Sequence, residues 1–497
     1  MAFFAPRRAL SHGSCLAIAV VLAVAAALAS PFGFGRLGAA AAAESSAGAS
    51  DDWHVVSVSS MRPSAVCTAA EGVKHVGSQG RAPARPLLAP AVTRRRAVSC
   101  RDLAPGPGQG HLHTPQIIIA SSAAVNAAGA SKSARLPARW ATDSLGTNNY
   151  VVTVGLGTPA RHFTVEFDTG SDLSWVQCKP CHHCYEQKDP LFDPSKSSTY
   201  SALPCGAREC RDLGDDLRRT CSSPGDACRF EVSYADGSVT VGDLARDTLS
   251  LPTAAEPDAI PGFVFGCGHE HDNTGSFGTE DGLIGLGRKS VSLSSQAASQ
   301  YGRGFSYCLP SLSSGAGYLS LGGPGAPPAN ARFTPMVPNR DLPSQYFVRL
   351  VGVRVAGETV KIPPASMLVD SGTQLTILPD GTFAAVWSAF ARLMGRHRYR
   401  RAPGLSFLDT CYNFTGHAAV RVPAVALVFA GGATVDLDVS GVLVKLGSDE
   451  PDVWCLGFTS TGDDTPVGIL GNTQQKTLAV VYDLANRRIG FGAKGCA

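Results

Sequence analysis

The sequence predicts a mostly β protein that is built from two related lobes. Only 17% of the 497 residues are charged, whereas glycine (54) and proline (33) are abundant. Together with the rarity of helical periodicity, this composition is typical of a strand-rich protein with many turns. A chain of this length exceeds what one hydrophobic core usually supports, so two or three domains are expected. One aspartate-centred pattern occurs once in each half of the chain, and this duplication indicates the two related lobes.

The first copy of the pattern lies in the segment FTVEFDTGSDLSWV, residues 163–176. The segment begins as an alternating strand and then turns at Asp168-Thr169-Gly170-Ser171. Glycine at such a turn lets the backbone bend sharply or approach a ligand closely. A single Asp-x-Gly turn is ordinary turn chemistry, so this copy alone is weak evidence for a catalytic site.

The second copy, Asp370-Ser371-Gly372-Thr373, follows the apolar run 367–369. Each copy has a later companion, an apolar pair that ends in glycine: residues 283–285 for the first and 469–471 for the second. Over residues 146–497 this arrangement resembles the pepsin-like aspartic proteases. The resemblance implies a bilobal pepsin-like fold with the active-site cleft between the lobes. Each lobe would contribute one catalytic aspartate, Asp168 or Asp370, and each companion segment would support its loop.

The resemblance also implies an aspartic endopeptidase that hydrolyses peptide bonds at acidic pH. Two carboxyls at hydrogen-bond distance do not both ionise readily, so the pair shares a proton. One aspartate can then take a proton from a water molecule while the other donates to the carbonyl oxygen. The neighbouring residues are expected to support the pair. Gly170 and Gly372 would allow close approach, and the hydroxyls of Ser171 and Thr373 would lie beside the carboxylates. By resemblance, Thr169 and Ser371 would brace the two loops against each other.

A hairpin between the two copies resembles the flap of this family, a lid over the cleft. Residues 230–234 alternate as a strand, Ala235-Asp236-Gly237-Ser238 turns, and residues 239–251 return. By resemblance Tyr234 is the flap tyrosine and Trp175 supports its ring, whereas the alternative is a partly buried core tyrosine. Asp236 at the tip is expected to meet basic side chains of a substrate.

Fifteen cysteines are present, and twelve of them follow residue 140. An even number in an exported protein predicts a disulfide framework. Seven of the twelve form a dense insert in residues 178–228, which resembles the nepenthesin-like branch of the plant aspartic proteases. By resemblance the expected pairs are Cys178–Cys181, Cys184–Cys267, Cys205–Cys228, Cys210–Cys221, Cys308–Cys496 and Cys411–Cys455. The spacing alone leaves the connectivity open, and CKPCHHC with His182 and His183 also fits a metal chelate. We expect disulfides, no metal and no cofactor.

The N-terminal section differs from the rest of the chain. Residues 1–29 carry Arg7 and Arg8 before an apolar run that ends in a small-x-small pattern, which predicts a secretory signal peptide and an apoplastic or vacuolar protein. A membrane anchor and a chloroplast transit peptide are the alternatives.

Residues 30–140 are predicted to be a propeptide or a disordered basic segment. Residues 1–140 hold 14 basic and 5 acidic side chains, and the remainder has a net charge of −6. The resemblance implies a propeptide whose basic residues cover the acidic cleft, and Arg94–Arg96 and Lys132–Arg139 are the residues expected to do so.

The two lobes are predicted at residues 146–325 and 326–497. We expect a monomer that acts on protein or peptide substrates and binds pepstatin-like inhibitors, with no stable membrane anchor and a glycosylation site at Asn413. One rival interpretation is an inactive inhibitor or binding protein of the same fold. Another is a protease that also binds DNA, because the chain resembles the chloroplast nucleoid DNA-binding branch and carries the basic run Arg396–Arg401. The acidic body gives little support to nucleic-acid binding.

Overall fold

The computed structural model describes residues 52–61 and 132–496, except 215–216, 253–257, 274–276, 312–313, 323–327, 405–407, 446–451 and 464. The predicted signal peptide and Arg94–Arg96 lie outside the described residues. Residues 52–61 and 132–496 belong to one compact unit. Within this described part, no helix has both the length and the apolar character needed to cross a membrane.

The structure is mostly β, as predicted. The strands of the first half are β1 (Trp53–Ser57), β2 (Ala134–Trp140), β3 (Tyr150–Leu156), β4 (Arg161–Asp168), β5 (Trp175–Gln177), β6 (Ser201–Ala202), β7 (Arg229–Ser233), β8 (Val239–Leu251), β9 (Asp258–Asp272), β10 (Gly282–Gly285), β11 (Phe305–Cys308) and β12 (Gly317–Leu321). Those of the second half are β13 (Arg332–Pro335), β14 (Phe347–Val355), β15 (Glu358–Val360), β16 (Ala365–Val369), β17 (Thr376–Leu378), β18 (Arg400–Ala402), β19 (Cys411–Asn413), β20 (Ala419–Pro423), β21 (Val425–Phe429), β22 (Thr434–Asp436), β23 (Leu443–Val444), β24 (Val453–Leu456), β25 (Phe458–Ser460), β26 (Val467–Leu470), β27 (Ala479–Asp483) and β28 (Arg488–Gly492).

Among the described residues, helices are short apart from one. They are α1 (Val58–Met61), α2 (Thr142–Leu145), α3 (Arg208–Arg211), α4 (Leu293–Gln296), α5 (Ala298–Tyr301), α6 (Asp380–Gly395) and α7 (Val439–Val442), with 3-10 turns at Pro194–Lys196, Ala430–Gly432 and Asn472–Gln475. The long helix α6 has apolar residues at helical spacing. Its residues Val386, Phe390, Leu393 and Met394 are buried in the core.

Each lobe positions its aspartate in the same way. In the first lobe β4 ends at Asp168 and runs parallel to β10, with Phe167 opposite Ile284. In the second lobe β16 ends just before Asp370 and runs parallel to β26, with Leu368 opposite Ile469. The two companion segments predicted from the sequence are therefore the strands that lie beside the two aspartate strands. This repeated pairing brings both aspartate loops to the ends of buried strands.

One sheet contains strands from both lobes. Its order includes β13-β28-β27-β11-β12-β2-β3, so β27 near the C-terminus pairs with β11 of the first lobe, and β28 pairs with β27 and β13. Tyr307 of β11 and Tyr482 of β27 are fully buried, and their hydroxyls lie 3.1 Å apart. The strands of this sheet therefore connect the two lobes through continuous backbone hydrogen bonds.

The N-terminal section carries more structure than its composition suggests. β2 pairs with β12 and β3 and buries Ala134, Leu136 and Ala138, while β1 pairs with β20. Residues 53–57 and 134–140 of the section predicted to be a propeptide or a disordered basic segment are therefore strands. The basic stretch also differs from its expected place over the cleft, because Lys132 lies 2.5 Å from Asp258 and the Arg135 guanidinium covers the Tyr318 ring. These residues hold β2 in the sheet.

All twelve cysteines of the body are paired in six disulfides. Cys308–Cys496 and Cys411–Cys455 are the expected pairs. The other four expected pairings are wrong, because the structure contains Cys178–Cys267, Cys181–Cys184, Cys205–Cys221 and Cys210–Cys228.

The sheet and the local geometry explain these differences. β5 and β9 run parallel with Gln177 opposite Gly268, and the Cys178 N–H donates to the Gly268 carbonyl at 2.8 Å. This register brings Cys178 beside Cys267 and leaves Cys181 to pair with Cys184. In the insert, the Cys210 and Cys221 sulfurs are 3.7 Å apart although they are not bonded to each other. The expected and the observed pairings of this cluster differ only in which neighbouring sulfurs are bonded to each other. The spacing of the cysteines in the sequence does not decide between them.

The disulfides should differ in their contribution to stability. Cys308 and Cys496 are separated by 188 residues and Cys181 and Cys184 by 3, and longer loops lose more unfolded-state entropy on closure. Replacing Cys308 and Cys496 together by serine should lower the free energy of unfolding by about 2–5 kcal/mol. The same change at Cys181 and Cys184 should cost much less. Denaturant unfolding at equal protein concentration checks this, and equal losses would contradict the loop-length argument.

Candidate active site

Two backbone turns, one from each lobe, meet at the centre of the molecule. Asp168, Thr169, Asp370 and Ser371 are completely buried. The Gly170 N–H donates to Asp168 Oδ1 at 2.7 Å, and the Gly372 N–H donates to Asp370 Oδ1 at 2.8 Å. Each carboxylate is thus held by the glycine two residues later in its own turn. The two halves of the site are equivalent in backbone geometry.

The two turns are joined by reciprocal hydrogen bonds. The Thr169 N–H donates to Ser371 Oγ at 3.1 Å, and the Ser371 N–H donates to Thr169 Oγ1 at 3.0 Å. Each hydroxyl then donates across to the opposite strand, Thr169 to the Val369 carbonyl and Ser371 to the Phe167 carbonyl, both at 2.9 Å. Thr169 and Ser371 therefore brace the two loops against each other, as expected from the resemblance.

The glycines allow the two aspartates to approach. A Cβ at Gly170 would lie 2.7 Å from Asp370 Oδ2, and a Cβ at Gly372 would lie 2.5 Å from Asp168 Oδ1. Contacts this short exclude any side chain at either position. Each glycine backbone consequently lies directly against the carboxyl of the other lobe, and the two carboxyls are close enough to hydrogen-bond each other.

The two carboxyls have different proton affinities. Burial and the nearby charge of Asp168 raise the pKa of Asp370 to about 7. Burial would also raise the pKa of Asp168, but hydrogen bonds from Asp370 and from the Gly170 N–H hold it below its ordinary value. Thr373 Oγ1 donates to Asp370 Oδ2 at 2.5 Å. Between these two pKa values the pair carries one proton.

The flap hairpin lies on the first lobe as the sequence predicts. β7 and β8 pair antiparallel from Arg229 opposite Asp243 to Ser233 opposite Val239. The Trp175 Nε1–H donates to the Tyr234 hydroxyl at 2.5 Å, and both side chains are buried. Asp236 is exposed at the tip and accepts a hydrogen bond from the Ser238 N–H at 3.0 Å. The tyrosine is therefore held by the tryptophan, and the tip presents a carboxylate to solvent.

Several buried amides hold the loops in place, and the sequence analysis missed them. Gln345 Nε2 donates to the Gly170 carbonyl at 2.7 Å, and Gln475 Nε2 donates to the Asp370 carbonyl at 2.9 Å. Asn472 Nδ2 donates to the Ser371 carbonyl at 3.2 Å. The run NTQQ at residues 472–475 is buried although it consists only of polar residues. Four uncharged polar residues directly after the second companion strand are the signal that would have indicated a structural role.

The metal chelate that the sequence left open lies in CKPCHHC, where Cys178, Cys181 and Cys184 are all disulfide-bonded. Among the described residues, two groups of side chains have metal-ligand spacing, Cys181 with Cys184 and His271, and Cys205 with Cys210 and Cys221. The sulfurs in both groups are disulfide-bonded, so they are not thiolate ligands. Asn413 lies in β19, partly buried, and its side chain accepts a hydrogen bond from the Thr415 N–H at 2.8 Å.

The arrangement of paired Asp-(Thr/Ser)-Gly turns at a two-lobed centre is that of the pepsin-like aspartic proteases, and comparison with known proteins shows that the chain belongs to this family. It is 40% identical over 373 residues to an aspartyl protease family protein of Arabidopsis thaliana, which covers 74% of this chain and 76% of the relative. It is 34% identical over 365 residues to the aspartic proteinase nepenthesin-2 of Nepenthes gracilis, covering 71% and 78%.

Family and structure comparisons agree on the fold. Residues 150–323 match the family described as Xylanase inhibitor N-terminal, and residues 345–493 match the one described as Xylanase inhibitor C-terminal. The crystal structure of basic 7S globulin from soybean is similar with a TM-score of 0.59 and 21% identity, covering 73% of this chain and 95% of that one. At this identity the similarity concerns the fold alone.

A second group of carboxyls lies behind Asp168. Glu166, Glu280 and Asp281 are buried, and Glu166 precedes Asp168 on the same face of β4. Asp281 Oδ2 accepts a hydrogen bond from the Thr164 N–H at 2.6 Å. Glu280 Oε2 accepts one from the Gly278 N–H at 2.9 Å, whereas its Oε1 has no partner among the described residues. Burial raises the pKa of Glu280 to about 7.

Because the folded-state pKa of Glu280 is raised, the unfolded chain releases this proton first as pH increases. The contribution of Glu280 to stability is therefore complete below about pH 4.5 and decreases as pH rises toward 7. Glu280→Gln should flatten the fall in unfolding free energy between pH 5 and 7 by up to about 3 kcal/mol. Thermal unfolding across this range checks the slope, with the exposed Glu186→Gln as the matched control. An unchanged slope in Glu280→Gln would contradict the assignment.

Proposed function

We propose that this chain is an aspartic endopeptidase that hydrolyses peptide bonds at acidic pH with Asp168 and Asp370. The observation that carries the proposal is the complete set of reciprocal contacts around the two carboxyls, from both glycine N–H donors to both bracing hydroxyls. Such a set holds two carboxyls together in a buried place, where they share one proton.

The proposed reaction needs no covalent intermediate with the enzyme. Ionised Asp168 takes a proton from a water molecule, and the resulting hydroxide attacks the carbonyl carbon of the scissile peptide. Protonated Asp370 donates to the carbonyl oxygen, so the tetrahedral intermediate is neutral. When the C–N bond breaks, the proton on Asp168 passes to the leaving nitrogen. The proton on the intermediate returns to Asp370, which restores the starting state.

The pH range follows from the two pKa directions. Activity requires the proton on Asp370, which is lost as pH rises through about 7. It also requires ionised Asp168, whose lowered pKa keeps it charged well into the acid range. The proposal therefore gives a bell-shaped profile on the acid side of neutrality.

The flap is proposed to cover the bound peptide. Trp175 holds Tyr234, and the exposed Asp236 carboxylate lies at the tip where a substrate side chain passes. A basic residue in the peptide would find an opposite charge there. The substrate class is thus a protein or peptide in extended form, and pepstatin-like inhibitors should occupy the same place.

The second candidate function is an inactive binding protein of the same fold. The family descriptions name a xylanase inhibitor, which gives this alternative a specific basis. The protease proposal is preferred because both aspartates, both glycines and the Trp175–Tyr234 pair are present with their contacts. An inhibitor that works through an outer surface has no need for this buried arrangement.

Substitution of either aspartate tests the proposal. Asp168→Asn and Asp370→Asn keep the shape of the side chain but cannot share a proton, so each should lower kcat on casein at acidic pH by at least about a thousandfold. The measurement is casein cleavage by acid-activated protein with and without pepstatin. Asp236→Asn at the exposed flap tip is the control, and it should retain kcat while changing the preference for basic peptides.

Retention of wild-type kcat by either asparagine variant would remove the dyad from the mechanism. An inactive wild-type chain that binds a glycanase but not pepstatin would favour the inhibitor function. Near-identical circular dichroism and unfolding midpoints for the variants establish that lost activity reflects chemistry rather than misfolding.

We also propose that the chain is a secreted zymogen. Six disulfides fit an oxidising compartment, which supports passage through the secretory pathway to the apoplast or vacuole. The basic N-terminal section precedes a body of net charge −6, and carboxylates of the body take up protons as pH falls toward about 4. Loss of these attractions would loosen Arg94–Arg96 and expose a cleavage point near residues 140–148.

Acid activation is tested on residues 44–497 by following mass and casein cleavage from pH 7 to pH 3. The expected result is a fall in mass together with the onset of activity. Neutralising Arg94–Arg96 by substitution with glutamine should move this onset to higher pH, because fewer attractions then hold the section. Full activity at pH 7 with residues 44–140 attached would contradict the scheme.

A further inference from the structure

Strand β20 of the second lobe depends on the N-terminal section for its pairing. Among the strands described, β20 pairs only with β1, antiparallel, from Trp53 opposite Pro423 to Ser57 opposite Ala419. The pairing is extended at both ends, because the Ala424 N–H donates to the Asp52 carbonyl at 3.1 Å and the Val58 N–H donates to the Ala418 carbonyl at 3.0 Å. Without β1, the outer backbone groups of this strand would form an exposed edge.

Side chains of the N-terminal segment enter the core of the lobe. Val58 and Met61 are 3% and 8% exposed and belong to the main hydrophobic core. The Trp53 ring meets the His397 ring edge-on, with centroids 4.9 Å apart. Val55, two residues after Trp53 in the strand, is 66% exposed. The segment therefore has side chains that contact the lobe and at least one large apolar side chain that faces solvent.

The surface that receives the segment is shaped for it. Gly357 has a φ of +75°, and a Cβ there would lie 2.6 Å from Asp52 Oδ1. On the other side of β20, Val420 and Val422 are buried in the core, so the strand is held in place from behind. We call the residues 418–424 together with Gly357 and His397 the β20 groove.

We propose that the β20 groove is a docking site for an extended strand, and that its occupant is residues 52–61 of this chain. Backbone pairing along β20 gives the affinity, as in other cases of strand addition, and the buried side chains of Val58 and Met61 in the following helix α1 give the specificity. The groove would hold the N-terminal segment on the second lobe even when the connection to β2 is cut. This attachment does not involve the aspartates and stands whether or not the chain is a protease.

The test uses residues 44–497 with a cleavage sequence for a site-specific protease inserted after Val66. The N-terminal fragment then contains no cysteine, so only non-covalent contacts can retain it. After cleavage at pH 7.5, size-exclusion chromatography and native mass spectrometry should find the fragment bound to the body. An excess of a synthetic peptide of residues 52–61 should displace it.

Matched substitutions separate the docked face from the exposed one. Val58→Asp should weaken retention at least tenfold, whereas Val55→Asp should change it less than about twofold. Hydrogen exchange gives a second readout on the wild-type chain: the amides of β20 should stay protected after cleavage and lose protection once the fragment is washed away. This readout keeps the proposal testable if Val58→Asp does not fold.

Separate elution of the wild-type fragment at micromolar concentration would overturn the proposal. Equal retention of the Val55→Asp and Val58→Asp fragments would also overturn it, because the attachment would then lie elsewhere. None of these measurements depends on casein cleavage, so failure of the docking proposal and failure of the protease proposal are distinguished.

Discussion

The reciprocal hydrogen bonds between Thr169 and Ser371 are the constraint on which the rest of the molecule depends. Each residue donates a backbone N–H to the other's hydroxyl, and each hydroxyl donates to the opposite aspartate strand. All of these groups are buried, so a missing partner would leave a desolvated donor or acceptor. The ends of β4 and β16 must consequently meet within a narrow tolerance. The parallel companions β10 and β26 and the shared sheet fix both ends at that position.

The close approach of the two aspartates in this nearly symmetric site explains why their carboxyls have different pKa values. Equivalent N–H donors from Gly170 and Gly372 hold both aspartates, and each glycine leaves room for the opposite carboxyl. Two negative charges that lie close together in the protein interior repel each other strongly, so ionisation of one carboxyl raises the pKa of the other. The raised pKa of Asp370 and the lowered pKa of Asp168 are the two consequences of one shared proton.

The sequence predicted the features that depend on local repeats and missed those that depend on tertiary placement. The two Asp turns and their companion strands were evident because each is a short pattern that occurs once in each half of the chain. The four wrong disulfide pairings depend on the register of β5 against β9 and on which sulfurs meet inside one cluster. β1 and β2 were missed because a composition averaged over residues 44–140 conceals strands of five and seven residues. Gln345 gave no signal, since a single buried glutamine has no period, whereas Gln475 lies in the polar run at residues 472–475.

The position of β2 within the sheet limits how the N-terminal section can dissociate from the rest of the chain. Lys132 is paired with Asp258, whose pKa is lowered although burial opposes this, because hydrogen bonds and the Lys132 charge favour the ionised form. Acid weakens that ion pair, but it does not weaken the backbone pairing of β2 with β12 and β3 or the burial of Leu136. Protonation alone therefore loosens the ends of the attachment and leaves the strand in its sheet. A cut before Lys132 would keep β2 in the mature protein, whereas a cut after Trp140 would require another segment to take its place between β12 and β3.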